Sequence, residues 1–305
     1  MISGAKILVT GATGSIARPM ARSLARENEV WGAARFSSDE FRQELEQAGV
    51  KTAQIDLETH DLSALPRDFD YVLHYAFTRR PSGEFHAAVE VNAIGTGLVL
   101  AHCRSARAAL VFSAATLYTP KPDPFYAYRE EDDIGAVRAP WGPSSPVSKV
   151  SLEAVARFCA QAFELPTTIV RPSVPYGCDL DMVTTIVDSV LDEKPILAVH
   201  DPQPLSVIHL DDMCEQVESL LDAASVPARI LNWAADEVFS VQEIAALVGS
   251  LTQQSPQIRV GTPPGVALGA VVDTERVRAI TGPCKRQLRE ALPGIIEARR
   301  ARSRG

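Results

Sequence analysis

Short apolar runs alternate with amphipathic stretches through the first half of the chain. Ile7-Leu8-Val9 reads as a buried strand. The segment after it carries Ile16, Met20 and Leu24 on one face and Arg18, Arg22 and Arg26 on another, the period of a surface helix. Pro19 falls in the first turn of that helix, where its missing N–H is tolerated. Further strands are predicted at 30–34, 52–55, 71–75, 109–112 and 168–170, with helices near 38–48, 85–103 and up to Phe163. A loop rich in Pro and Tyr covers 118–143. This alternation predicts an α/β, doubly wound parallel sheet covered on both faces. After Pro172 the rhythm loosens, with helices at 180–192, 211–223, 240–250 and 285–301 and short strands between. The chain is therefore read as residues 1–171 carrying the sheet and residues 172–305 forming a smaller mixed lobe. That lobe is expected over the carboxyl edge, where open α/β sheets bind ligands, with later segments returning to the first domain.

Composition narrows the classes. The chain has 305 residues, 46% of them hydrophobic and 22% charged, which is ordinary globular usage. A formal charge of −8 is the wrong sign for a nucleic-acid binder. No apolar stretch approaches the ~20 residues of a membrane span. Met1-Ile2-Ser3-Gly4-Ala5-Lys6 runs straight into a strand, so a secretory leader is not expected. The five cysteines (Cys103, Cys159, Cys178, Cys214 and Cys284) stand singly, as reduced thiols of a cytoplasmic protein do. The histidines show no metal-ligand spacing, so no metal is expected. The basic cluster Arg299, Arg300, Arg302 and Arg304 reads as a frayed, solvated helix end.

The most specific local signal is Thr10-Gly11-Ala12-Thr13-Gly14-Ser15-Ile16-Ala17, directly after the first strand and opening the first helix. Gly11 permits a tight turn, Gly14 lets backbone approach a pyrophosphate, and Ala17 is small enough for helix–strand packing. The free N–H groups of the helix start then face the phosphates. A dinucleotide-binding Rossmann domain is expected. The second strand ends Ala34-Arg35-Phe36-Ser37-Ser38, with no acid before Asp39. Arg35, helped by Ser37 or Ser38, suits a 2′-phosphate, so the expected cofactor is NADP(H).

With these residues the chain resembles the extended short-chain dehydrogenase/reductase family along essentially its whole length. Asp56, followed by Leu57, resembles the family's adenine-contacting Asp. His74-Tyr75-Ala76-Phe77 resembles its motif under the cofactor ribose, and Asn92-Ala93-Ile94-Gly95-Thr96 its Asn-x-x-Gly-Thr helix. Arg171-Pro172-Ser173-Val174-Pro175-Tyr176-Gly177 resembles its nicotinamide-lining segment, and His209-Leu210-Asp211-Asp212 its late turn. The resemblance implies a Tyr one helical turn before a Lys, the Lys holding the nicotinamide ribose and the Tyr passing the proton. It also implies a helper hydroxyl four residues before Tyr118.

Here the Lys is Lys149, but Ser145 stands at the Tyr position and Ala114 at the helper position. Ser113, next door, is expected to point elsewhere. Lys149, Ser145, Asn92 and Tyr118 are the candidate catalytic residues. Tyr126 and Tyr128 are further loop tyrosines able to swing in. Leu205 stands where sugar-nucleotide relatives carry a diphosphate-gripping Arg. These departures resemble atypical ketoreductases of aromatic polyketides. The resulting expectation is an NADPH-dependent ketoreductase of a bulky aromatic ketone, the proton coming from the substrate's own phenol. Ala114, Ala115, Tyr118, Trp141 and Tyr176 are expected near that substrate. The alternatives are a non-catalytic NADP-binding sensor and a sugar-nucleotide epimerase or dehydratase. A monomer or homodimer is expected.

Overall fold

The computed structural model describes residues 2–80 and 84–302. Met1 of the opening run and Arg304 of the basic cluster lie outside the described residues. Contacts divide the chain into two compact units. Unit 1 holds residues 1–117, 141–171 and 214–231, and unit 2 holds 118–140, 172–213 and 232–305. The Pro- and Tyr-rich loop is thus split, its larger part folding with unit 2.

The elements follow one another as β1 (Lys6–Thr10), α1 (Ala17–Leu24), β2 (Glu29–Ala34), α2 (Asp39–Gln47), β3 (Lys51–Gln54), β4 (Tyr71–His74) and α3 (Phe85–Val89). A π-helical turn, Glu90–Ile94, leads into α4 (Gly95–His102), then β5 (Ala108–Phe112), α5 (Ser145–Ala162), β6 (Thr167–Pro172) and β7 (Val174–Tyr176). There follow α6 (Met182–Leu191), β8 (Ile196–Ala198), β9 (Pro204–His209), α7 (Leu210–Asp222), β10 (Arg229–Trp233) and β11 (Val238–Ser240). The last elements are α8 (Val241–Thr252), β12 (Ile258–Val260), α9 (Glu275–Thr281) and α10 (Leu288–Arg302).

Seven strands form one sheet in the order β3-β2-β1-β4-β5-β6-β10. β1 pairs in parallel with both β2 and β4, and the parallel register continues through β5 to β6. The chain moves outward from β1 to β3 and then returns to β4 on the other side. That reversal is the topological switch point at which doubly wound sheets bind ligands. Ile7, Leu8 and Val9 are fully buried, as strands covered on both faces require. On one face Leu8, Val72, Ala109, Val111 and Ile169 pack with Val99 and Leu100 of α4 and Leu152 and Ala156 of α5. At about 25 cal/mol per Å² of apolar surface, this continuous core holds α5 firmly against the strand ends.

Unit 2 contains a mixed three-stranded sheet, β11-β9-β7, antiparallel between β11 and β9 and parallel between β9 and β7. Its core joins Val187, Val207, Ile244 and Leu292. Both α6 and α8 start with reciprocal capping boxes, Asp181 with Thr184 and Ser240 with Glu243. α10 extends to Arg302; Arg299 Nε donates to Asp188 Oδ1 of α6 at 2.7 Å, while Arg300 is exposed. No helix among the described residues is long and apolar enough to cross a membrane.

Candidate active site

The turn after β1 has the backbone its glycines imply. Gly11 sits at φ +66°, and a Cβ there would stand 2.8 Å from the backbone of Ala76. Only glycine satisfies both conditions without strain. Ile16, the N-cap of α1, supplies no side-chain cap, and Arg18 N donates to Gly14 O of the preceding turn. A cavity of about 190 Å³ opens at this switch point. Gly11, Thr13 and Gly14 border it, as do Arg35 at the end of β2 and Asp56 and Leu57 after β3. Tyr75, Ala76 and Phe77 after β4 and Asn92 complete the sequence-expected residues along it. Arg35 is exposed, and Ser37 and Ser38 lie beyond the cavity's lining. Phe36 takes a left-handed backbone (φ +49°) while its side chain is buried, which turns the chain sharply between Arg35 and Ser37. Ser15 and Ile16 are half-buried and do not border the cavity.

Two pinning networks fix the loop after β4. The backbone N–H of Ala76 donates to Thr10 Oγ1 at 3.3 Å. Thr10 Oγ1 lies 2.8 Å from His74 Nδ1, and His74 Nε2 lies 2.8 Å from Thr96 Oγ1. Thr96 in turn donates to the carbonyl of Asn92. That donation leaves Thr96 to accept from His74, so the His74 proton sits on Nε2 and Thr10 donates to Nδ1. Burial, aided by the charge of Lys149, pulls the His74 pKa down to about 3 and keeps the ring neutral. Asn92 clamps the next residues: its Oδ1 accepts from Thr78 N and its Nδ2 donates to Thr78 O, both at 2.8 Å. Asn92 thus borders the cavity but spends its amide on backbone.

Lys149 lies on the face of α5 that packs against the sheet, and only 6% of it is exposed. Its Nζ donates to the carbonyl of Phe112 at 2.8 Å and stands 3.9 Å from the centre of the Phe77 ring. Burial brings its pKa down to about 7; Glu153, one turn on, opposes this and Arg79 adds to it. One turn earlier, Ser145 Oγ is buried without a hydrogen-bond partner, close beside Gly142. Ala114, half-buried, and Ala115, buried, offer no hydroxyl there. Ser113 continues β5 by donating its N–H to Val170 O. Strand alternation then puts its side chain on the side of Ala109 and Val111, which pack with α5, and its Oγ is likewise buried and unpartnered. The Tyr75 ring leans on Phe112 with centroids 4.7 Å apart; its hydroxyl is buried, which raises its pKa. Behind Lys149, Glu153 and Arg171 form a two-point ion pair at 2.9 and 2.7 Å, each side chain 3% exposed.

The remaining candidates divide between the units. Trp141 is exposed in the loop before α5 in unit 1. Tyr118 belongs to unit 2. It is 1% exposed, stacks on Tyr128 and donates its hydroxyl to Asn232 Oδ1 at 2.6 Å. Tyr126 donates to Asp132, and the Tyr128 hydroxyl accepts from Lys121 N. All three loop tyrosines have structural partners, so none is a ready replacement for the missing family tyrosine. Tyr176 is buried edge-on against His209. Pro172 and Val174 are buried and flank Ser173, whose Oγ donates to Ala270 O within unit 2. Leu205 is 2% exposed in the unit 2 core. Sequence reasoning assigns no role to Thr78, Arg79 or Glu153 and names Thr96 and Arg171 only as members of motifs. The i,i+4 spacing of Lys149 and Glu153 is the available signal.

The comparisons agree with this geometry. The description "NAD dependent epimerase/dehydratase family" matches residues 7–234. No curated protein matches the chain by sequence. Among solved structures, UDP-glucuronic acid 4-epimerase from Bacillus cereus, in complex with UDP-glucuronic acid and NAD, is 21% identical. It superposes with a TM-score of 0.81 over 96% of this chain and 98% of that one. UDP-N-acetylglucosamine 4-epimerase from Methanobrevibacter ruminantium gives 16% and 0.84 over 99% and 100%. UDP-glucose 4-epimerase from Thermus thermophilus, in complex with NAD, gives 21% and 0.79 over 97% and 99%. These findings overturn the expected reduction of an aromatic polyketide ketone. The structural neighbours are sugar-nucleotide epimerases, which fits the epimerase/dehydratase alternative better.

Proposed function

Because the chain belongs to the NAD dependent epimerase/dehydratase family, we propose that it holds a nicotinamide dinucleotide at the switch point and acts by hydride transfer on a sugar nucleotide. The observation that carries this reading is the cavity bordered by Gly11, Gly14 and Phe77, the last of which also touches the buried Lys149. Bound there, the dinucleotide supplies the hydride acceptor and donor. The residues present fit it. Gly11, Thr13 and Gly14 with the start of α1 would receive the pyrophosphate, Asp56 the adenosine, and Lys149 the nicotinamide ribose. Arg35 borders the cavity where a 2′-phosphate would lie, and we propose NADP(H) on that ground. Oxidising an alcohol also releases a proton, which the Ser145 hydroxyl is too weak an acid–base group to carry. Lys149, titrating near neutrality by burial, holds and returns that proton at Nζ in this reading.

The test is to load the protein with NADP⁺ or NAD⁺ and incubate it with a panel of UDP-hexoses and UDP-uronic acids. Nicotinamide absorbance and NMR of the sugar ring are followed. Inversion or oxidation at a ring carbon is the expected result. Cofactor binding with no sugar nucleotide bound or converted would replace this reading with non-catalytic dinucleotide binding.

A further inference from the structure

Phe77 borders the cavity, whereas among the described residues none of Ala114, Ser145 or Lys149 does. Phe77 is what stands between. Its ring covers the Lys149 ammonium at 3.9 Å, and the ammonium is otherwise held by the single carbonyl of Phe112. A buried amine with one acceptor and one ring face is under-satisfied. It gains from any ligand hydroxyl able to displace the ring.

The backbone on either side of Phe77 does not give way. Ala76 is tied to Thr10 through its N–H, and Thr78 is held at both N and O by Asn92. The movable part is therefore the Phe77 side chain, which is half-buried and turns about two torsions. The pyrophosphate turn at Gly11 packs on the backbone of Ala76 rather than on the Phe77 ring, and Arg35 and Asp56 follow β2 and β3, further along the sheet, so the adenosine end lies away from it.

We infer that Phe77 is a specificity-determining side chain of the dinucleotide site, acting on its nicotinamide half. Its ring competes with the nicotinamide half of the ligand for the Lys149 ammonium, so full dinucleotides meet a penalty that adenosine-diphosphate fragments escape. This rests on the dinucleotide reading above. A cation–ring contact of this kind corresponds to about 2- to 30-fold in affinity.

The experiment is calorimetric titration of the whole chain and of F77A and F77L with ADP, 2′-phospho-ADP, NAD⁺ and NADP⁺. In F77A the two fragments are expected to bind within about twofold of their wild-type affinity, while the dinucleotides tighten by about 2- to 30-fold. F77L, which keeps the bulk without the ring face, confirms folding by its melting curve and should tighten dinucleotides less. In a K149M background the F77A effect on dinucleotides should vanish. Equal shifts for fragments and dinucleotides, no shift, or weaker dinucleotide binding in F77A would overturn the inference while leaving the dinucleotide reading intact. If neither fragments nor dinucleotides bind any of the proteins, the dinucleotide reading itself fails, and the inference with it.

Discussion

Replacing Lys149 by Met tests the electrostatics of the site without knowledge of a substrate. The amine has an ordinary pKa of 10.5 and is brought to about 7 in the folded chain, chiefly by burial. The unfolded chain therefore binds more protons at this position anywhere between those values. By linkage, stability rises with pH across that window. Below about pH 7 the folded state carries the whole penalty of a buried ammonium, on the order of 5 kcal/mol at about 1.4 kcal/mol per pKa unit. At about pH 7 half the penalty slope is active, and by about pH 9 most of it is. Integrated between those two points, the wild type gains about 2 kcal/mol over the Met variant. The neighbouring charges, Glu153 on the same helix and Arg79 after β4, stay in both proteins, as does the neutral His74. Urea denaturation of both proteins at about pH 7 and about pH 9 measures the gain directly. Two stability curves that run parallel from about pH 7 to about pH 9 would refute the burial argument, because they would mean Lys149 keeps its solution proton affinity inside the fold.

Three further outcomes follow from contacts already described. E153Q takes the carboxylate from beside the buried Arg171 guanidinium and should cost about 3–5 kcal/mol in urea denaturation; a loss below about 1 kcal/mol would show that the pair is not what holds Arg171. G11A forces a Cβ into the Ala76 backbone at a positive φ, so dinucleotide binding by calorimetry should be lost and the melting temperature lowered, whereas unchanged binding would count against the turn as the phosphate site. R35A should weaken NADP⁺ by about 10- to 100-fold, the worth of a charge-assisted contact, and leave NAD⁺ nearly untouched; equal loss for both would remove Arg35 as the selector.

The parts of this molecule legible in the sequence are those fixed by near neighbours along the chain. Gly11 and Gly14 can be read because a strand, a turn and a helix start within a dozen residues leave few ways to fold. The strands of the first half and four of the helices after Pro172 can be read for the same reason, each carrying its own period and punctuation, whereas the short α9 is not expected. Lys149 is found by its place in a motif, but its chemistry is not. That chemistry is set by the Phe112 carbonyl and the Phe77 ring, which lie 37 and 72 positions away and meet α5 only when the sheet closes. The loop tyrosines show the converse. Their types and proximity to strand ends suggest mobile acids, yet Tyr118 is tied to Asn232, 114 positions later, a partner no local pattern announces.

The misassigned substrate has the same root. The phenol missing at position 145 and the hydroxyl missing at Ala114 suggest a change of substrate, because a sequence displays the loss of a group more plainly than the retuning of one that remains. A tyrosine in this family is useful because the adjacent lysine lowers its proton affinity. With the tyrosine gone and Lys149 sealed between a carbonyl and an aromatic face, burial moves the lysine itself to near-neutral titration. In the proposed reading the proton-carrying capacity of the site passes from the side chain at position 145 to the one at 149, a single helical turn along the same face. A sugar-nucleotide chemistry is compatible with that shift, since what it demands of the protein is a titratable group near neutrality beside the hydride carrier, not a phenol as such.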